Sequence, residues 1–295
     1  MRTRTGQARP RSSRRGFTLV ELLVVITIIA VLAALGTAAY QRVRVAGKRT
    51  ATVSDINNMN VAITKFKQDF GFNPPQSFTF PSTPTDPGVA LLQRMFRSYP
   101  ASYTVAGPAM KPLVFMNLGN VNGKTISGSQ CLLFFLGGPS GQGFDSTGPY
   151  DPAGTAKKGP YMDFDINRIS SVANTNQQLN DYLDTWGTPY AYFSTGSSDG
   201  YDERANAFLT IGGVNIRPFK DAANKWVNSG GVQIISAGPN QIHGIGSVWI
   251  APSGSTPAVT KSWIPEQSLG YGPGDPGEDD IGNFNGGLQL GSSSK

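Results

Sequence analysis

The chain has 295 residues, and its 36 glycines and 21 prolines predict a loop-rich body with β-structure rather than a helical bundle. Its formal net charge of +6 comes from the arginines that precede Gly16, so the rest of the chain is neutral and we expect no nucleic-acid partner. A single cysteine and a single histidine exclude an intrachain disulfide and a zinc site built from several His or Cys ligands.

An apolar segment, residues 17–40, follows the basic N-terminal stretch. It carries one charged side chain, Glu21, and would form about 36 Å of helix, enough to cross the hydrocarbon of a bilayer. A carboxylate in hydrocarbon is costly, so Glu21 either has a cationic partner or lies near the headgroups. We therefore predict a basic leader at 1–16 on the cytoplasmic side and a transmembrane helix at 17–40. Cleavage by signal peptidase near Ala39 is the alternative.

The helical pattern continues beyond the apolar segment, over residues 41–71. Apolar residues recur at spacings of three and four, which predicts one buried stripe on an amphipathic helix. Gly71 and the following Pro74 and Pro75 predict where the helix ends. The stripe consists of Ile56, Met59, Ile63, Phe66 and Phe70.

Residues 72–183 follow no single pattern, and we interpret them as a variable, loop-rich insertion. Residues 81–88 are rich in proline and predict a loop, whereas Val89–Tyr99 predicts a short helix with Leu92, Met95 and Phe96 on one face. The apolar run 131–136 fits either a buried helix or a strand, and Cys131 is interpreted as a small core residue.

The C-terminal part, residues 184–290, predicts β-structure. Residues 184–193 read as a turn followed by an alternating strand, and 231–238 read as a second strand that ends in a glycine turn. Together they predict an antiparallel sheet packed against the amphipathic part of the long helix, which is an α+β fold. Residues 291–295 are expected to be a frayed tail.

The N-terminal segment resembles the processing site of type IV pilins and type II secretion pseudopilins. The resemblance rests on the basic residues Arg14 and Arg15, the Gly16–Phe17 junction, Glu21 as the fifth residue after the junction, and the apolar run directly behind it. It implies cleavage after Gly16 by a prepilin peptidase, N-methylation of Phe17 and retention of the helix. It also implies that Glu21 pairs with the N-terminal amine of a neighbouring subunit during assembly.

Three C-terminal segments resemble elements of the major pseudopilins, in the same order along the chain. They are Asp184–Tyr190, Ser236–Gln241 and Asp280–Phe284. In that family the last two elements surround a calcium ion, which prefers oxygen ligands. The candidate oxygen ligands at this place in the chain are the Asp279 and Asp280 carboxylates, the Asn240 amide and the Ser236 hydroxyl. Asn240 stands where the family usually has Asp, and the alternative is a solvated acidic turn.

These features predict a filament subunit rather than an enzyme: a type II secretion pseudopilin, or alternatively a type IV pilin. Its expected partners are other subunits, a prepilin peptidase, an inner-membrane assembly platform and membrane lipid. Its expected location is the cytoplasmic membrane, crossed once, with the body outside the cytoplasm. A membrane-anchored enzyme using His243, or a binding module using loop residues such as Trp226, Trp249 and Trp263, is a less favoured alternative.

Overall fold

The computed structural model describes residues 17–97, 123–146, 148, 157–170, 180–195, 201, 209–211, 214–220, 225–244 and 279–284. The predicted leader with Gly16, the tail 291–295, Trp249 and Trp263 lie outside these residues. The chain divides into two units, Met1–Gly47 and Lys48–Lys295. It has an α+β fold, which consists of a long N-terminal helix and small antiparallel sheets, as expected for a pilin-like protein.

The helices and strands are mostly short apart from the first helix. The helices are α1 (Leu19–Phe70), α2 (Pro87–Met95), α3 (Ser129–Leu132), a π-helical turn (Leu133–Gly137) and a 3-10 turn (Ile166–Arg168). The strands are β1 (Ser77–Thr79), β2 (Thr125–Ser127), β3 (Phe144–Asp145), β4 (Lys157–Lys158), β5 (Ile169–Ser170), β6 (Asp181–Tyr182), β7 (Ala191–Ser194), β8 (Leu209–Ile211), β9 (Val214–Ile216), β10 (Val232–Ser236) and β11 (Ile281–Gly282).

The part of α1 that belongs to the second unit has the predicted amphipathic character. All five residues of the predicted stripe are buried, as is Thr52, which precedes the stripe on the same face. Gly71 ends the helix with a φ of 78°, and its N–H donates to the Lys67 carbonyl at 2.8 Å. This left-handed cap suits glycine and satisfies one of the last carbonyls of the helix.

The predicted helix Val89–Tyr99 is displaced in the structure. It begins at Pro87 and ends at Met95, while Phe96 is extended, with φ −130° and ψ 103°. Proline is favoured at the first helical position because its missing N–H would have no partner there. The preceding Asp86 carboxylate accepts bonds from the N–H groups of Ser82 and Thr83, at 2.7 and 2.9 Å, and so orders the loop before the helix.

The region predicted as a variable insertion contributes much of the core. Its β1 and β2 pair antiparallel although the two strands are far apart in sequence, and residues 131–136 form a buried helical turn rather than a strand. Cys131 is fully buried there, as predicted. Phenylalanine side chains of this region belong to the same buried apolar cluster as the stripe of α1. They are Phe72, Phe78, Phe80, Phe96, Phe134, Phe135, Phe144 and Phe164.

The sheet of β7, β10 and β11 lies between two apolar clusters. The strand order is β11-β10-β7, and both pairings are antiparallel. Tyr192 and Ile234 belong to the cluster that contains the α1 stripe, whereas Phe193 and Ile235 belong to a smaller cluster on the other face. The alternation predicted for β7 therefore separates two apolar surfaces, and all four of its residues are buried.

An ion pair also connects the second part of α1 with the 3-10 turn, Ile166–Arg168. Arg168 donates from Nη1 to the Asp55 carboxylate at 2.5 Å and from Nη2 to the Leu183 carbonyl at 2.6 Å. The Tyr190 hydroxyl donates to the same Asp55 oxygen at 3.3 Å. This partly buried network fixes α1 to the segment that carries the first C-terminal motif.

Candidate functional site

The first candidate site is the start of α1, where Thr18 and Glu21 bond each other. The Thr18 N–H and hydroxyl both donate to Glu21 Oε2, at 2.9 and 2.8 Å. In return, the Glu21 N–H donates to the Thr18 hydroxyl at 3.2 Å. This is the reciprocal capping box of helix N-termini. Its local signature, Thr-x-x-Glu before an apolar run, is present in the sequence at Thr18–Glu21.

Apolar side chains surround α1 in the first unit. Phe17 is 79% exposed and Leu35 is 67% exposed. Among the described residues, α1 is the one helix long and apolar enough to cross a membrane, judged by length and composition. A surface with this composition suits a lipid environment or the apolar helices of other subunits.

The second candidate site lies at the end of the β7–β10–β11 sheet, where the three C-terminal motifs meet. Asp184 accepts from the N–H groups of Trp186 and Thr188, both at 2.9 Å, through Oδ1. Its Oδ2 accepts from the Ser236 hydroxyl at 2.6 Å. The first motif is thereby tied to the last residue of β10, where the second motif begins.

The loop after β10, residues 237–244, is bound by the two aspartates that precede β11. Asp279 Oδ2 accepts from the Asn240 N–H at 2.7 Å, and Asp280 Oδ2 accepts from the Gly244 N–H at 3.0 Å. Gly238 has a φ of 69°, and a Cβ at that position would lie 2.2 Å from the Asp279 carbonyl oxygen. We call this arrangement of residues 237–244 with Asp279 and Asp280 the C-terminal clasp.

Asn283 extends the same arrangement toward α1. Its side-chain oxygen accepts from the Ile234 N–H, and its amide donates to the Asn60 side chain of α1, both at 3.1 Å. Asn283 belongs to the third C-terminal motif, Asp280–Phe284, and the sequence alone did not indicate its role. The C-terminal segment is thereby fixed to β10 and to the helix at once.

The residues implied as calcium ligands lie together in and beside the clasp, but their side chains differ in their hydrogen bonds. Ser236 donates to Asp184, and the Asn240 side chain accepts from the Ile242 N–H at 2.8 Å. Asp280 is fully buried, and its Oδ1 has no hydrogen-bond partner. Burial raises the pKa of the Asp280 carboxyl well above its usual range. An unpartnered buried carboxylate oxygen is chemically suited to a cation.

Protein side chains alone do not complete a metal site here. Among the described residues, no group of three or more His, Cys, Asp or Glu side chains could hold a metal ion. A calcium ion at the clasp would therefore need backbone carbonyls and water in addition to carboxylates, which calcium accepts readily.

His243 and Trp226, the candidates for an enzyme and for a binding module, both pack against other parts of the protein. His243 is 2% exposed, and its Nε2 lies 2.9 Å from the Pro189 carbonyl oxygen. Burial lowers the pKa of His243, which favours the neutral ring. Trp226 is partly buried, packs against Tyr201 at a centroid distance of 5.3 Å, and carries the Lys220 ammonium over its ring.

In a comparison with family models, the model of the prokaryotic N-terminal methylation motif matches residues 11–37. The match includes the Gly16–Phe17 junction, Glu21 and most of the apolar segment. The chain carries a type IV pilin/pseudopilin prepilin signal. Such a signal belongs to a pilin-like structural subunit with an N-terminal membrane anchor, and it implies processing by a prepilin peptidase and polymerisation into filaments. No curated protein and no solved structure matches the chain.

Proposed function

We propose that the chain is a subunit of a type II secretion pseudopilus, anchored in the inner membrane with its body on the extracytoplasmic side. A prepilin peptidase cleaves it after Gly16, and the Phe17 amine is methylated. An inner-membrane assembly platform then polymerises the subunits through α1. The observation that carries the filament role is the prepilin signal together with the exposed apolar first part of α1.

Glu21 takes part in assembly in this proposal. Both bonds from Thr18 end on Glu21 Oε2, and a carboxylate has about four acceptor positions. The group can therefore keep the helix cap and still accept a bond from the Phe17 amine of a neighbouring subunit. Pairing with that ammonium offsets the cost of removing the carboxylate from water, and it favours one register between helices.

The C-terminal motifs favour the pseudopilus over the pilus. The three segments that resemble major pseudopilins are distant in sequence, yet Asp184, Ser236 and the clasp lie in direct contact. We also propose that the clasp binds calcium, held by Asp279 and Asp280 and by backbone carbonyls of residues 237–244. Ser236 and Asn240 order the loop in this arrangement. Calcium would supply positive charge beside the buried Asp280 carboxylate.

Deletion of the chain in its native host tests the proposed function. The deletion is expected to abolish export of at least one protein into the medium while surface pili and twitching motility stay normal. Complementation with the full chain should restore export, and Glu21→Ala should not, although that variant should remain in the membrane fraction. Loss of pili with intact export would instead assign the chain to a type IV pilus.

A further inference from the structure

The end of the apolar segment of α1 carries a cluster of positive charge. Arg42 and Arg44 are exposed and follow Tyr40, which is 63% exposed. Lys48 and Arg49 come next in the sequence, and no acidic residue occurs between Glu21 and Asp55. This part of the helix therefore carries several positive charges and no negative one at the point where the apolar segment ends.

Helix geometry puts this charge at a membrane surface. From Leu19 to Arg42 the helix rises about 35 Å, slightly more than the hydrocarbon thickness of about 30 Å. Arg42 and Arg44 would therefore reach the headgroups on the side opposite Glu21. Tyr40 would lie at the level where tyrosine is enriched in membrane proteins. Two residues apart on a helix, the two arginines point to roughly opposite sides and can contact different lipids.

Processing changes the balance of charge along the anchor. Before cleavage, the arginines of residues 1–16 lie on one side of the membrane and Arg42 and Arg44 on the other. After cleavage, the cationic side chains that remain next to the anchor are those that follow Tyr40. A side chain already on the extracytoplasmic side does not cross hydrocarbon when the subunit is extracted in that direction, so extraction does not include the cost of moving its charge through the bilayer.

We propose that Arg42 and Arg44 bind the phosphate groups of anionic phospholipids in the extracytoplasmic leaflet. The guanidinium group is suited to this ligand because it donates to phosphate oxygens through two parallel bonds and is weakly hydrated. The contact holds the processed subunit at a fixed depth until it enters the filament. The proposal rests on the proposed function for the orientation of the helix.

Lipid selectivity of the chain after cleavage by a prepilin peptidase tests this proposal, because the leader arginines would otherwise also attract anionic lipid. The wild type and the double variant Arg42→Gln/Arg44→Gln are reconstituted into phosphatidylcholine vesicles that contain spin-labelled phosphatidylglycerol or spin-labelled phosphatidylcholine. Electron paramagnetic resonance then gives the relative association of the two lipids with the protein. We expect the preference for phosphatidylglycerol to fall by about fivefold or more in the double variant, since each cation near an anionic surface contributes a factor of roughly five. High salt should reduce this difference.

The matched control is Lys65→Gln/Lys67→Gln, which removes the same charge from exposed positions further along α1. It should leave the lipid preference unchanged. Equal preferences for the wild type and the arginine variant would overturn the proposal. If the arginine variant keeps the wild-type lipid preference but no longer forms filaments in cells, the arginines serve contacts between subunits and not lipid binding. Failure of the wild type to insert into vesicles would count against the proposed function itself, which separates the two outcomes.

Discussion

Thr18 and Glu21 bond each other in both directions across the first turn of α1. The Thr18 hydroxyl donates to the Glu21 carboxylate at 2.8 Å and accepts from the Glu21 N–H at 3.2 Å. Glu21 therefore has a local partner in the single chain, before any second subunit arrives. Its carboxylate serves the helix cap, and we propose that it also serves assembly. These two roles respond differently to substitution.

The first prediction separates these two roles. Thr18→Val removes the hydroxyl from the cap and should destabilise the first turn by about 1 kcal/mol, while filaments still form. Glu21→Ala removes the cap bonds and the proposed partner of the neighbouring amine, so filaments should be absent. Filament yield in the sheared fraction and membrane content by fractionation give the two readouts. Equal loss of filaments in both variants would mean that Glu21 acts chiefly as a cap.

The second prediction concerns the geometry of the clasp. Gly187 and Gly238 both have positive φ, at 98° and 69°, but only at Gly238 would a Cβ meet another atom within 4 Å. Gly187→Ala should therefore cost about 1 kcal/mol from backbone strain alone. Gly238→Ala should lower the melting temperature clearly more, because Asp279 must also move. Thermal unfolding of both variants in the same detergent tests this, and equal shifts would contradict the tight contact with Asp279.

The third prediction concerns calcium. Addition of a chelator should lower the melting temperature of the full chain in detergent, and calcium should restore it, because a bound ion stabilises the folded state by mass action. Asp280→Asn removes the charge and should abolish the response to calcium. Asp163→Asn, at an exposed position, removes the same charge and serves as the control. If the chelator leaves the melting temperature of the wild type unchanged, the calcium proposal is contradicted and the filament proposal is not affected.

The fourth prediction concerns His243 and acid. Burial lowers the pKa of His243 in the folded chain, so unfolding at low pH is coupled to proton uptake. The free energy of unfolding is therefore highest above the pKa that the histidine has in the unfolded chain, about 6.5. It decreases as the pH falls below that value, because the unfolded chain then binds a proton that the folded chain does not. Between pH 7 and pH 5, the wild type should lose more stability than His243→Gln, measured by denaturant unfolding. Parallel losses would show that His243 is not responsible.

Local patterns in the sequence predicted some features of the fold well. The α1 stripe was predicted because residues such as Met59 and Phe66 repeat with the helical period, and both are buried. The pairing of β1 with β2 was not predicted, because each strand has three residues and the partners are distant in sequence. Short strands carry almost no periodic signal. Their order and register come from long-range packing of aromatic side chains.

In the two candidate sites, too, local sequence patterns could be predicted and contacts between distant segments could not. Glu21 and the three C-terminal motifs were found from the sequence. The bond from Asn283 to Asn60 and the bonds from Asp184 to the turn were not, because they depend on how separate segments meet. The cap at Thr18 could have been predicted, since a Thr followed three residues later by Glu and an apolar run is a local signature.

The mass of the N-terminal peptide, from chain purified out of membranes or filaments, shows whether prepilin processing takes place and whether the apolar helix is retained. The chain is expressed together with a prepilin peptidase, and the N-terminal peptide is identified by mass spectrometry. We expect the first residue to be Phe17 with one methyl group on its amine, and the helix to be retained. A chain that still begins at Met1, or one cut near Ala39 so that the apolar segment is lost, would contradict this expectation.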